Sequence, residues 1–486
     1  KGWSRPLLFA WGFFCVSLVP VLGFTDVGFM KYSLFADHYQ HIAIIGVIAL
    51  AAAGWSIWRR RVRNRELWMT TAVAVVAMGA LAFLTWRQSG IYHNAISLYQ
   101  ATLQKNPGCW VAHNNLGFAL GKIGRLQEEI EHYEQALRLN PDYAEAHNNL
   151  GAALAQTDRR QEEIAQYEQA LRLNPNYAEA HNNLGAALAQ TGRHQEEMEH
   201  YQQALRLKPD YAEAYNNLGA ALAQTGRFQE AIENCEHALR LDPDYADAYN
   251  ALGLILAKTG RPQEAIEHYK QALRLKPDFS DAHYNLGNIF QTLSQYPQAI
   301  EHYEQALRLK LKYAEAHNGL GAALVQAGRP QEAIEHCEQA LRLKPDYPEA
   351  YYNLGNALVL VGRSQEAIEY YQKALRVKPD YPEANNNLGL ALVKTGRFQE
   401  AIEHFEEALR LRPDYINARH NMALAYAGMH QSSEAIAAAQ KALELARSRG
   451  QKEQAKQIED WLNAYRVNLL NLPNESPSSD SNLPAH

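Results

Sequence analysis

Apolar and small residues recur every 34 residues between Trp110 and Arg449, without insertion or deletion. With Trp110 as position 1, leucine at positions 7 and 11 and Tyr, Phe or Cys at position 24 lie at helical spacing, with polar residues between them. Glycine at position 15 and proline at position 32 interrupt this periodicity in most units. The pattern predicts ten pairs of amphipathic helices, A and B, in repeats that begin at residues 110, 144, 178, 212, 246, 280, 314, 348, 382 and 416.

The Leu-Gly…Ala…Tyr…Ala…Pro pattern in a 34-residue unit resembles the tetratricopeptide-repeat (TPR) family. One such hairpin cannot bury its apolar stripe alone, so successive hairpins must stack. We therefore expect an all-α protein in which residues 92–449 form a right-handed α-solenoid with a concave surface, opened by a half repeat ahead of Trp110. Residues 450–470 are predicted to be a capping helix, and residues 471–486, rich in Pro, Ser and Asn, a disordered tail.

Three apolar segments precede the repeats, at about residues 7–24, 42–58 and 67–86. Each approaches the ~20 residues that a helix needs to cross a ~30 Å hydrocarbon core, which predicts a membrane region over residues 1–91 with three transmembrane helices. The arginine-rich loop at residues 59–65 would be cytoplasmic by the positive-inside rule. The protein would then be an integral membrane protein, with the last span docked on the first repeat and the array in a periplasm or endoplasmic reticulum lumen. The alternative is that these segments are buried helices of a soluble domain.

The loop between the first two segments reads VGFMKYSLFADHYQHIAIIG with the start of the second. It resembles a segment of the transmembrane-and-TPR (TMTC) family of protein O-mannosyltransferases, in which Ala36, Asp37 and Gly46 match and His38 replaces an arginine. The resemblance implies that Asp37 and His38 contact the phosphate of a polyprenyl-phosphate sugar; interfacial anchoring by polar residues is the alternative. Because the family's catalytic acids lie in an earlier loop that does not precede Lys1 here, we expect a fragment-like chain without catalytic residues.

Asparagine occupies position 6 of eight repeats. Helix A is expected to line the inner groove, where a ladder of side-chain amides would suit the backbone of an extended polypeptide. The TPR superhelix of O-linked N-acetylglucosamine transferases has a similar ladder. The alternative is that asparagine is simply common at this position. The predicted peptide-binding residues are Asn115, Asn149, Asn183, Asn217, Asn285, Asn353, Asn387 and Asn421.

Charge narrows the choice of partner. Residues 1–92 carry 9 Lys and Arg against 3 Asp and Glu, whereas the rest of the chain carries 38 against 50, which argues against nucleic acid. An acidic residue at position 2 of eight repeats argues against the dicarboxylate clamp of chaperone-binding TPRs, which needs Lys or Arg there. These acids would favour neutral or basic peptides, or would only complement the helix dipole.

No metal ion or other cofactor is expected. Histidine recurs at positions 4 and 23, but equivalent side chains of neighbouring repeats would lie ~10 Å apart, too far to share an ion at bonds of ~2.1 Å. The 4 cysteines are too dispersed for a disulfide framework, and Cys235 and Cys337, at position 24, are predicted to be small core residues.

Together these patterns predict a membrane-anchored TPR protein that binds polypeptide in its groove. Our leading hypothesis is the acceptor-binding and C-terminal membrane part of a polyprenyl-sugar-dependent protein O-glycosyltransferase. The alternative is a non-enzymatic TPR scaffold for an envelope or secretion complex. The expected partners are an extended polypeptide, the lipid bilayer and a polyprenyl-phosphate sugar.

Overall fold

The computed structural model describes residues 94–470 and, further upstream, Val76. Residues 94–470 form 22 α-helices, which are a first helix, ten A and B pairs, and a last helix. The all-α repeat architecture is therefore confirmed. In chain order the helices are α1 Ala95–Lys105, α2 Trp110–Gly121, α3 Leu126–Leu139, α4 Ala144–Leu154, α5 Arg160–Leu173, α6 Ala178–Ala189, α7 His194–Leu207, α8 Ala212–Gln224, α9 Phe228–Leu241, α10 Ala246–Lys258, α11 Pro262–Leu275, α12 Ser280–Thr292, α13 Tyr296–Leu309, α14 Ala314–Gln326, α15 Pro330–Leu343, α16 Pro348–Leu360, α17 Ser364–Val377, α18 Pro382–Lys394, α19 Phe398–Leu411, α20 Ile416–Gly428, α21 Ser432–Ser448 and α22 Lys452–Leu470.

Helices A and B of one repeat meet where the side chain at position 24 packs on the glycine at position 8. A Cβ added to Gly185 would lie 2.7 Å from Cε1 of the buried Tyr201, closer than two carbon atoms can approach. Cys235 and Cys337 occupy the same position and are fully buried, so the prediction that they are core residues is confirmed. Burial raises the pKa of both thiols to about 12. Glycine at position 8 thus sets how closely the two helices approach.

The turn after helix A depends on a residue with positive φ at position 15. Seven repeats have glycine there, as at Gly192 with φ 75°, and the backbone N–H of the next residue returns to the leucine carbonyl at position 11 in most of them. Ser294 and His430 take the same conformation without being glycine, with φ 57° and 58°. In repeat 2 the residue is Asp158, and the N–H of Arg159 instead bonds the Thr157 hydroxyl at 3.3 Å. Helix α4 accordingly ends at Leu154.

The chain divides into two compact units at Asp242. The first contains α1 to α9 and buries apolar residues along the contacts between neighbouring repeats. One of its clusters joins Ile130 and Tyr133 to Leu150 and Leu154. The equivalent cluster one repeat later contains Tyr167, Leu184 and Leu188. The same residue types therefore build the same contact in consecutive repeats, as stacking of a repeated hairpin requires.

The second unit, from Pro243, contains α10 to α22. A continuous core runs through α13 to α20 and includes the buried rings of Tyr303, Tyr371 and Phe405. The last helix, α22, places Ile458 and Leu462 against Ala439 and Leu443 of repeat 10. This helix therefore covers an apolar surface that the tenth repeat would otherwise expose.

The prediction of three transmembrane helices is corrected. Among the residues that the structure describes, no helix is both long and apolar enough to span a bilayer. The longest, α22, has 19 residues but carries charged side chains throughout, such as Lys456, Asp460 and Arg466. An integral membrane protein with an extracytoplasmic array is therefore unsupported, and that localisation is withdrawn. The predicted spans at 7–24, 42–58 and 67–86, the loop residues Asp37 and His38, and the tail 471–486 lie outside the described residues.

Candidate functional site

The asparagines at position 6 form hydrogen bonds from one repeat to the preceding one. In the first unit, the Nδ2 atoms of Asn149, Asn183 and Asn217 each donate to Oδ1 of the asparagine at position 5 of the preceding repeat, at 3.0 Å. The acceptors are Asn114, Asn148 and Asn182. In the second unit, Asn285, Asn353 and Asn421 bond Asn250, Asn318 and Asn386 in the same way at 2.9–3.0 Å. We call these paired side chains the amide rows.

Two of the eight predicted residues depart from this arrangement. Position 5 of repeat 8 is Tyr352, and Asn387 donates to its hydroxyl at 3.1 Å and to Oδ1 of Asn356 at 2.8 Å. In repeat 1, Asn115 accepts from Asn114 at 3.4 Å. All eight residues thus lie on helix A and are half-buried, and their part in peptide binding stays a prediction.

The acids at position 2 fix the orientation of the amides in the first unit. Glu213 accepts from Nδ2 of Asn182 at 3.0 Å, and Glu145 accepts from Nδ2 of Asn114 at 3.3 Å. Because a carboxylate can only accept, Asn182 turns its NH2 group towards Glu213, and its oxygen is left to accept from Asn217. Each such amide is therefore held by two groups of the next repeat, which the sequence pattern alone did not suggest. The Asn-Asn pairs at positions 5 and 6 were the available signal.

The amide rows keep part of their hydrogen-bonding capacity. Asn149 and Asn183 each use one amide N–H in the row, and no other residue of the described chain donates to their Oδ1 atoms. Each therefore retains an acceptor and a second donor. Because the bonded N–H is fixed by the preceding repeat, the free oxygen has a defined direction before any ligand arrives. This is the chemistry that one peptide unit of an extended chain requires.

Lysines neutralise part of the acidic fringe. Lys208 pairs with Glu179 at 3.3 Å, and its Nζ lies 4.5 Å from the ring centre of Tyr211. Equivalent pairs join Lys344 to Glu315 and Lys378 to Glu349, both at 3.4 Å. By contrast, Glu145 and Glu213 form no ion pair with any residue that the structure describes, and they accept amide hydrogens instead. The acids at position 2 therefore differ in role from repeat to repeat.

Comparison with known families identifies the array. Models described as tetratricopeptide repeat or TPR repeat match residues 86–137, 122–158, 144–177, 163–192, 188–226 and 210–278. The array belongs to the tetratricopeptide-repeat superfamily. Residues 245–459 also match the C-terminal domain of cilia and flagella-associated protein 70. Among curated proteins, none matches the chain. The resemblance to TMTC-type O-mannosyltransferases found no support.

Solved TPR structures align with parts of the chain. YrrB, described as a TPR protein with an unusual peptide-binding site, is 24% identical, with 39% of this chain and 97% of YrrB covered and a TM-score of 0.34. MamA is 30% identical, with 34% and 97% covered and a TM-score of 0.31. The Cut9–Hcn1 complex of the APC/C is 16% identical, with 84% and 98% covered and a TM-score of 0.48. With scores below 0.5, these likenesses do not indicate what this chain binds.

The TPR array also brings histidines together in a way that comparison of neighbouring repeats missed. Positions 4 and 23 belong to one repeat, 19 residues apart, and their rings meet across the hairpin. His181 and His200 have their Nδ1 atoms 2.9 Å apart, and three other repeats contain the same pair. Within the described part of the chain, no group of three or more His, Cys, Asp or Glu side chains is arranged to hold a metal ion.

The first three TPR units carry a further unpredicted feature, a buried glutamate at position 20, where the other seven have alanine. Glu163 is 2% exposed and pairs with Arg160, and Glu197, also 2% exposed, lies 3.0 Å from Nδ1 of His194. Glu129 is 8% exposed and lies against Gly121. Position 17, which supplies the partner in repeats 2 and 3, is Leu126 in repeat 1. Burial raises the pKa of Glu129 and of Glu163.

Proposed function

We propose that the TPR array binds an extended polypeptide along the amide rows of its A helices. The observation that carries the proposal is the set of asparagines whose Nδ2 groups are fixed by the preceding repeat while Oδ1 receives no bond. The amides of Asn149, Asn183 and Asn217 repeat this arrangement in three consecutive repeats. A polypeptide backbone offers the complementary N–H and C=O groups in every residue.

Pre-orientation is what makes such weak contacts useful. One side-chain amide bond to a peptide contributes only about 0.5–1.5 kcal/mol, because it replaces bonds to water. Amides that are already held by Glu213 or by the preceding repeat lose little further freedom on binding. Several consecutive rungs can therefore add up to a measurable affinity. Because the rungs contact backbone groups, we expect binding to depend more on peptide length than on side-chain identity.

The function that this geometry favours is that of a polypeptide-binding scaffold. The more specific hypothesis, the acceptor-binding part of a polyprenyl-sugar-dependent O-glycosyltransferase, gains no support from the described residues. The proposed contacts of Asp37 and His38 with a lipid-linked sugar lie outside them. Both hypotheses required a groove for polypeptide, and it is this common requirement that the amide rows support.

The proposal is tested by selecting linear 16-residue peptides from a random phage library on the full chain. Affinity for a selected peptide, labelled with fluorescein, is then measured by fluorescence anisotropy. The triple variant Asn149→Ala, Asn183→Ala, Asn217→Ala should bind at least tenfold more weakly, as expected for the loss of about 1.4 kcal/mol over three amides. Truncation of the peptide from either end should weaken binding progressively.

The control removes three amides from the B helices of the same repeats. Gln161, Gln195 and Gln229 are exposed at position 18, so Gln161→Ala, Gln195→Ala, Gln229→Ala should bind the peptide as the unaltered chain does. Circular dichroism of both triple variants checks that the helices remain. Failure of the library to yield any linear peptide would contradict peptide binding, and equal affinities of the two triple variants would contradict the role of the amide rows.

A further inference from the structure

The histidine pair of repeat 3 has defined protonation. Nε2 of His181 lies 3.1 Å from the carbonyl oxygen of Pro175, which can only accept, so this nitrogen carries a hydrogen. In the neutral ring, Nδ1 of His181 is then an acceptor, and Nδ1 of His200, 2.9 Å away, donates to it. Two neutral imidazoles thus link helix A, helix B and the loop that enters the repeat.

The same chain of bonds recurs in both units. His113 and His132 of repeat 1 have their Nδ1 atoms 3.0 Å apart, and Nε2 of His113 lies 3.2 Å from the Pro107 oxygen. In repeat 7, His317 lies 3.0 Å from His336 and 3.3 Å from the oxygen of Leu311. The pair of repeat 6 is His283 and His302, at 3.1 Å. Other repeats place different residues at these positions.

Protons and this geometry compete. One added proton can be accommodated if the second ring keeps a lone pair towards the first. A second proton would put two N–H groups face to face at about 3 Å and two positive charges in contact, at a separation where even screened repulsion is large. Once helix A and helix B separate, each ring takes up its own proton. Acid therefore favours the opened hairpin.

The charged groups around the pairs act in both directions. Carboxylates on helix B favour the protonated rings and the cations oppose them, and desolvation by burial lowers the pKa of all eight imidazoles. Around repeat 3 these groups are Glu196, Glu199 and Arg193, with Glu168 and Arg172 across a cleft of about 350 Å³. The corresponding groups are Glu128 and Glu131 in repeat 1, Glu301 and Lys270 for repeat 6, and Glu332, Glu335 and Arg329 in repeat 7.

We propose that the histidine pairs are acid-sensitive clasps, which open repeats 1, 3, 6 and 7 selectively as the pH falls. A histidine pKa lowered in the folded state gives stability that is complete above the unfolded value of 6.5 and declines as the pH falls through the folded value. The device acts on four repeats and spares those without a pair. The array would then keep its helices in acid but lose the fixed spacing of hairpins on which a groove ligand depends.

Hydrogen exchange of the full chain at pH 7.5 and 5.5, corrected for the intrinsic rate and with a chelator present, tests the proposal. We expect protection in repeats 1, 3, 6 and 7 to fall about tenfold more than in repeats 2 and 8, the change that one unit of pKa shift gives. Repeats 2 and 8 are internal controls, because they contain the pairs His147–Gln166 and Tyr351–Tyr370 instead. An equal fall in all repeats would contradict the proposal.

A matched variant separates the clasp from other effects of acid. His200→Gln copies the His–Gln pair of repeat 2, so repeat 3 should then respond to acid as repeat 2 does, while repeats 6 and 7 keep their response. His181→Asn copies the Asn385–His404 pair of repeat 9, whose atoms are 3.0 Å apart, and should have the same effect. An unchanged acid response of repeat 3 in both variants would overturn the proposal.

Discussion

Position 20 shows how one side chain changes the energetics of an otherwise regular repeat. Alanine at this position is fully buried in seven repeats, as at Ala231 and Ala265. Glutamate in the first three places a carboxylate in the same interior, where it must find a partner or lose stability. Repeats 2 and 3 supply Arg160 and His194, but repeat 1 supplies only a hydrogen bond from Tyr133.

We predict that Glu129→Gln stabilises the first unit at neutral pH. The pKa of Glu129 is raised, chiefly by burial, so its contribution to stability is complete below the unfolded value of 4.5 and is lost as the pH rises through the folded value. The neutral amide avoids that loss, and the gain should approach about 1 kcal/mol. Urea unfolding at pH 7.5 and 4.5 measures it.

The matched control for this prediction is Glu163→Gln. This change removes the charge that pairs with Arg160 and leaves the cation without its partner, so it should be destabilising at pH 7.5. If Glu129→Gln were equally destabilising at both pH values, the account of Glu129 as an uncompensated buried charge would be wrong.

At the scale of single elements, sequence periodicity was sufficient to predict the helix pairs, because every hairpin carries its own punctuation. Gly192 and its equivalents end helix A in the left-handed conformation, and the next residue starts helix B. Periodicity did not reveal how the hairpin closes at its other positions. The His181–His200 contact joins two helices through a crossing geometry that no spacing along one helix encodes.

We predict that Ser294→Gly stabilises the second unit. Ser294 adopts φ 57° at the position that is glycine in seven repeats, and an L-residue pays about 1–2 kcal/mol there. Glycine removes this cost but has more freedom in the unfolded chain, so the net gain should be about 0.5–1 kcal/mol. Thermal unfolding and local hydrogen exchange of α12 and α13 measure it. The reverse change, Gly328→Ser in repeat 7, should destabilise by a similar amount, and a gain from that change would refute the explanation.

At the scale of the whole molecule, the repeat class and the location of the amides on helix A were predictable, whereas the partners of the amides were not. Asn183 was a candidate because of its residue type and its position. That its Nδ2 bonds Asn148, and that Glu213 orients Asn182, depends on the offset between neighbouring repeats. This offset is set by packing at Gly185 and Tyr201 rather than by any local pattern. The membrane prediction rested on apolar run length alone, and no described helix meets that criterion.

The claim on which the account depends is that polypeptide lies along the A helices. Hydrogen exchange of the full chain with and without a saturating selected peptide tests it most directly. The account predicts increased protection in α4, α6 and α8, which carry Asn149, Asn183 and Asn217, with little change in the intervening helices α5 and α7. Protection confined to α5 and α7, with α4, α6 and α8 unchanged at saturation, would contradict it.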